Sequence, residues 1–209
     1  MVVGANGYRL SFTTGGLLCD EAVAVAAVMV VEPDVSEVRT TAVERNLVQQ
    51  RTSASTTRVT REVIGRLAGL PPAGIELVAN GSAVDARALM WLAACLRYRL
   101  VGDFGRDVVR ERLLSGRLLV AEDFDTFWNQ QASWIDALRD AADTTRKKLR
   151  QNTFRMIREA GWLTGDGHVR EAALSFAAIE VIRDVNPELA LSFPLHNAQV
   201  AGIVQHQER

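Results

Sequence analysis

Leu89, Leu92, Ala93, Leu96 and Leu100 recur at i, i+3, i+4, i+7 and i+11. That spacing puts them on one side of an α-helix and on no single face of a strand. Patterns of this kind dominate the chain. Residues 16–31 are apolar nearly all round, as in a buried helix. Asp34 with Glu37 three residues later resembles a capping box opening a helix over about 35–47. Ser53 or Ser55 caps the next, which runs to about Leu67 and stops at Gly69 and Pro71-Pro72. A short helix fills 73–79, and Ser82 with Asp85 opens the one carrying the leucine stripe, broken at Gly102. Helices are predicted at about 103–115, ending at Gly116, and from Glu122 onward. Strand signals are confined to 117–120 and a small hairpin over 162–170. The fold class predicted is therefore all-α, a compact helical bundle over 1–120 followed by a helical part over 121–209.

Charge is where the chain departs from the ordinary. Its 24 basic residues nearly balance 25 acidic ones, yet Thr144–Arg158 holds six cations and no acid. On a helical wheel Leu149, Thr153, Met156, Ile157 and Ala160 share an arc of about 100°, the width of a core-facing stripe. Lys147, Lys148, Gln151, Arg155 and Arg158 fall opposite, with Arg150 and Asn152 at the flanks. Arg146 projects onto the apolar arc and Phe154 onto the edge of the polar one. Cations and amides on one exposed face are what phosphate and base contacts require. A solvated face, or pairing with acids such as Glu122, Asp123, Asp125, Asp136, Asp140 and Asp143, fits the same residues.

The end of this helix is marked by Gly161, a left-handed cap onto which Trp162 and Leu163 can fold. Asp166-Gly167 then signals a tight turn before a helix over about 171–185. The order helix, hairpin, helix is winged-helix-like, a setting also found in proteins that never meet nucleic acid.

A second acid-free stretch, 45–61, carries four arginines among hydroxyls and amides. Val59, Val63 and Leu67 mark its inward face, leaving Arg58 and Arg61 to point elsewhere, with Arg51 just before the helix. Hydroxyls and free N–H groups at a helix start, with arginines nearby, suit phosphate, although such runs also serve simply as caps.

Other chemistry is missing from the sequence. There is no Gly-x-x-x-x-Gly-Lys-Ser/Thr or Gly-x-Gly-x-x-Gly loop, and Gly15-Gly16 reads as a plain helix start. His168, His196 and His206 fit no zinc spacing, and no nucleophile–base arrangement is visible, so no cofactor, metal or enzymatic activity is expected. The apolar runs Ala22–Val31 and Ala88–Leu96 are far short of the ~20 residues needed to span a bilayer. With no signal-like leader, and with Cys19 and Cys95 read as buried free thiols, a cytoplasmic protein is expected. The polar ending Gln205–Arg209 reads as a solvated tail.

Several segments together resemble the BrxA family of BREX phage-defence systems. The opening Tyr8-x-x-Ser11-x-Thr13-x-Gly15-Gly16-Leu17-Leu18-x-x-Glu21 is similar to the start of its members. So are Asn46-Leu47 with Arg51, Thr56 and Arg58 leading to Arg66-Leu67; Leu92–Cys95 with Tyr98 and Asp103-Phe104; Trp134 with Leu138; Thr145, Lys147, Arg150 and Gln151; and Glu159–Leu163. The resemblance covers about 8–185. It implies a fold like NusB, an all-helical RNA-binding factor, together with DNA binding, other BREX proteins as partners and no catalytic residues. The family has also carried an inner-membrane label, which the short apolar runs oppose. The expected role is a non-catalytic binder of nucleic acid, with duplex DNA favoured over RNA. A protein–protein adaptor and a winged-helix transcription regulator are the other readings.

Overall fold

The computed structural model describes Tyr8, Leu10 and residues 15–205; Ser11, Thr13, His206 and the tail beyond it lie outside the described residues. No strand occurs among them, and the chain is a succession of helices. They are α1 (Cys19–Val31), α2 (Val35–Glu44), α3 (Ser53–Leu67), α4 (Pro72–Asn80), α5 (Ala83–Arg97), α6 (Arg99–Phe104), α7 (Arg110–Ser115), α8 (Ala121–Ala132), α9 (Asp136–Arg139), α10 (Asp143–Glu159), α11 (Phe176–Val185) and α12 (Asn197–Val204). A π-wound turn, Gly105–Val109, joins α6 to α7, and a 3-10 segment, Pro187–Ser192, precedes α12.

Local chemistry sets most boundaries. Ser82 and Asp85 form the reciprocal capping box at the start of α5. Asp34 caps α2 alone, accepting from the Ser36 N–H at 2.7 Å, and α2 ends at Glu44, three residues early. Thr52, and neither of the serines after it, caps α3 by accepting from the Ser55 N–H. Gly116 ends α7 in the left-handed conformation, φ 67°. The predicted helix over 171–185 starts only at Phe176, where the Ser175 side chain accepts from the Ala178 N–H.

The leucine stripe breaks earlier than expected. Tyr98 turns extended (φ −129°, ψ 95°) and ends α5, while Gly102 lies inside α6. The Tyr98 hydroxyl donates to the buried Glu62 carboxylate at 2.6 and 2.7 Å, a tertiary bond that outweighs helix continuation. The break leaves Leu96 37% exposed while Leu89, Leu92, Ala93 and Leu100 are fully buried. Gly105 then passes so close to the Ser192 carbonyl that no larger residue fits without a shift. The first helix is likewise not buried all round: Ala22, Val25 and Ala26 face the core, but Val31 is largely exposed.

One cluster of buried side chains runs from Tyr8 to Ile203. Trp91 meets Trp162 edge-on at 5.2 Å, Trp162 meets Phe193 at 5.5 Å, and the Trp91 indole N–H donates to Ser192 O. Phe104 is ringed by Phe124, Phe127 and Phe154. Such aromatic pairs add about 0.5–1.5 kcal/mol each beyond the area they bury, and here they anchor both α8 and α10 to the rest. Among the described residues, no helix is long and apolar enough to cross a membrane.

Candidate nucleic-acid interface

The wheel reading of α10 matches its burial. Leu149, Thr153, Met156, Ile157 and Ala160 are buried, and Lys147, Lys148, Gln151, Arg155 and Arg158 are exposed. Phe154 and Asn152 are also buried, so the packing face is wider than the predicted arc. The helix closes in a Schellman motif: the Trp162 N–H bonds Ile157 O, the Gly161 N–H bonds Arg158 O, and Gly161 has φ 82°.

Acids elsewhere claim part of the cationic face. Arg146 and Arg150 stand one turn apart, where like charges repel, and Asp125 of α8 bridges both. Arg146 is thus half-buried against α8, its guanidinium also donating to Asn129 Oδ1 and Asp125 O. Arg155 pairs with Glu159 at 2.6 Å. Asp123 is taken by Arg112 and Asp136 by Arg139. Lys147, Lys148 and Arg158 remain without an ion pair among the described residues, and Arg158 lies over the Phe154 ring at 5.8 Å.

Arg150, Gln151 and Arg158 form one wall of a groove of about 400 Å³. Its other wall is the turn Thr164–Gly167 beside Leu119–Ala121. The turn is closed by Thr164 N–H to His168 O at 3.0 Å, with one antiparallel bridge, Leu163 to Val169, behind it. Segment 117–120, predicted as a strand, is not one; it reaches the turn through a single bond, Leu119 N–H to Gly167 O. The Thr164 hydroxyl holds the exposed Asp166 carboxyl below its usual range. The groove therefore has a cationic wall and an anionic far rim.

The second stretch is organised by Asn46, itself left-handed at φ 48°. Its side chain accepts from the Gln50 N–H and the Thr56 hydroxyl and donates to Gln50 O. This staple shapes the loop that presents Arg51, while Arg58 and Arg61 project from α3. All three are exposed and without an ion pair among the described residues. No hydrogen bond or ion pair among those residues joins them to α10.

Two features escaped the sequence reading. Exposed Arg117 and Arg170 lie on the segments flanking the turn; each is isolated among other residue types, so no run of charge marked it. Arg66 looked like one more arginine of α3 but is 1% exposed. It pairs with Glu62 at 2.8 Å and donates to Gly16 O and Leu17 O. Glu159 holds the same turn from α10 by accepting from the Leu17 N–H. A Cβ on Gly16 would come within 2.5 Å of that carboxylate, so Gly15-Gly16 is a close approach between α3 and α10 more than a helix start.

A family model described as BrxA matches residues 6–185. The chain is 24% identical over 150 residues to a BREX protein BrxA of Bacillus cereus (strain H3081.97), covering 71% of this chain and 75% of that protein. It is 25% identical over 150 residues to a BREX protein BrxA of Escherichia coli O9:H4 (strain HS), covering 71% and 70%. The crystal structure of an uncharacterized protein from Magnetospirillum magneticum superposes with a TM-score of 0.74 at 22% identity, over 90% of this chain and 98% of that one. At that identity the likeness is one of fold.

Proposed function

Because this chain belongs to the BrxA family, we propose that it is a component of a BREX anti-phage system that binds nucleic acid, duplex DNA in preference to RNA, without chemistry of its own. The observation that carries this reading is the α10 face: Lys147, Lys148 and Arg158 are exposed beside Gln151 with no acid of the described chain neutralising them. A helix that buries its apolar stripe and leaves cations unpaired pays self-repulsion that a polyanion relieves. Gln151 and Arg158 are the side chains closest in kind to base-reading groups, and they are few, so sequence preference is weak. Arg51, Arg58 and Arg61 supply a second phosphate contact, with Arg150 and Arg155 as partly neutralised auxiliaries.

The test compares duplex DNA, single-stranded DNA and a structured RNA in one low-salt binding assay. Lys148→Glu with Arg158→Glu is the informative reversal, since reversing Arg155 would also strand Glu159 and disturb the Leu17 turn. We expect duplex affinity to fall about tenfold or more for two reversed phosphate contacts, and less for Arg58→Glu with Arg61→Glu. Unchanged duplex binding in the first pair sinks the assignment of α10.

An adaptor role within the defence complex has one observation in its favour: Trp134 is 87% exposed in the short connection between α8 and α9, and a bare tryptophan is a frequent protein-contact anchor. Copurification of a partner protein with no shift of any nucleic acid would favour it. Protection of one discrete operator would instead mark a winged-helix regulator.

A further inference from the structure

Away from α10, helices α4 and α11 approach so closely that a Cβ on Gly74 would meet Val181 at 3.1 Å. Between them lies an open groove of about 610 Å³. Its floor is apolar: Ala73 and Leu77 from α4, Ala177 and Val181 from α11. Its rim is acidic: Glu76, Glu180 and Asp184, with no lysine or arginine in the lining. Glu180 is partnered by Arg183, whose guanidinium also donates to Gly202 O and Ile203 O and so is tied toward α12. Glu76 and Asp184 are exposed and have no ion pair among the described residues. An apolar floor with a rim of one charge is a contact surface with a stated preference.

We propose that this groove docks an amphipathic helix with basic flanks, supplied by a partner protein. Aliphatic side chains spaced at i, i+3/i+4 and i+7 enter between Leu77 and Val181, and lysines or arginines on either side meet Glu76 and Asp184. The ten residues of α11 present about 15 Å of wall, enough for roughly three turns of such a helix. Charge excludes the polyanions: nucleic acid and anionic lipid are repelled by the same rim. A second copy cannot fill the place with its own cationic helix, because the apolar side of α10 is already buried at Leu149, Met156 and Ile157. The inference stands apart from the nucleic-acid reading of α10, since the two surfaces share no lining residue.

The probes are three fluorescein-labelled synthetic peptides of about 14 residues, long enough for the expected contact: a leucine stripe flanked by lysine and arginine, the same stripe flanked by glutamate, and a scrambled basic control. Anisotropy is read against the full chain, and amide shifts of the isotopically labelled protein locate the contact. The basic amphipathic peptide should bind, with shifts gathered on Ala73, Leu77, Ala177 and Val181. Glu76→Gln with Asp184→Asn should weaken it about tenfold, as loss of two rim pairs implies. Ala177→Gln, checked for an unchanged melt by circular dichroism, should remove it. If that variant does not fold, the rim pair still decides the question. Equal binding of the glutamate-flanked or scrambled peptide overturns the proposal. So does a shift pattern centred on α10, or a concentration-dependent dimer that Ala177→Gln abolishes.

Discussion

Replacing Arg66 with methionine probes the buried polar centre where α3, α5 and the turn before α1 meet. The guanidinium is 1% exposed, pairs through Nε with Glu62 at 2.8 Å and donates through Nη1 to Gly16 O and Leu17 O at 2.9 and 3.1 Å. Nη2 has no partner among the described residues, so the arginine is imperfectly satisfied there and methionine restores some apolar packing. What remains is a buried carboxylate held by the Tyr98 hydroxyl, with Arg97 at 3.6 Å, and two carbonyls without donors. Removing one partner of a buried pair costs about 3–5 kcal/mol. The surviving Arg97 places this site near the lower bound, about 3 kcal/mol, and the melting temperature should fall roughly 6–12 °C for a chain of this size. Urea or thermal unfolding followed by circular dichroism reads the loss. Glu62→Gln closes a double-mutant cycle, in which the double variant should lose about 1–3 kcal/mol less than the sum of the singles. A methionine variant within about 1 kcal/mol of the original chain, or strictly additive singles, refutes the reasoning.

The cap of the cationic helix, the Asp85 carboxylate and the two thiols are each open to a direct test. Gly161→Ala should cost about 1–2 kcal/mol, because an alanine must take the left-handed conformation at φ 82°; an unchanged denaturation midpoint argues against the Schellman cap. Burial pushes the Asp85 carboxyl up, but hydrogen bonds from Ser175 and Ser82 more than offset it and hold it below its usual range. Its contribution is therefore present above the unfolded value of about 3.9 and lost as pH falls through the folded one. Asp85→Asn should lower stability at neutral pH, with the difference vanishing in acid; a gap that persists in acid contradicts the sign. Burial, with Glu159 adding, pushes the Cys19 thiol up to about 12, and burial pushes the Cys95 thiol up as well, with Asp103 adding. Neither should react with a disulfide reagent near pH 8 until the chain is unfolded in guanidinium, since the thiolate is the reactive form; rapid native labelling rejects that environment.

What the residues alone revealed follows from how far each interaction reaches along the chain. The exposed face of α10 was legible because burial of a helix depends on spacing within a few residues, and the Gly161 stop and the Ser82–Asp85 box are local for the same reason. The break at Tyr98 was not, because no glycine or proline marks it and its cause, Glu62, lies 36 residues away. Asp125 was among the acids in reach, but only packing of α8 on α10 selects it as the partner of Arg146 and Arg150. Arg58, Arg61 and Arg66 share one helix and one chemistry. That Arg66 turns inward depends on an acid one turn before it and on carbonyls about 50 residues away.

The central claim, that the free cations of α10 meet phosphates, is tested most directly by the salt dependence of duplex binding. If about four phosphates are neutralised, log K should fall with log[salt] at a slope of roughly −3 to −4, and Lys148→Glu with Arg158→Glu should flatten it by about 2. A slope near zero, or the same slope in both proteins, would contradict the account.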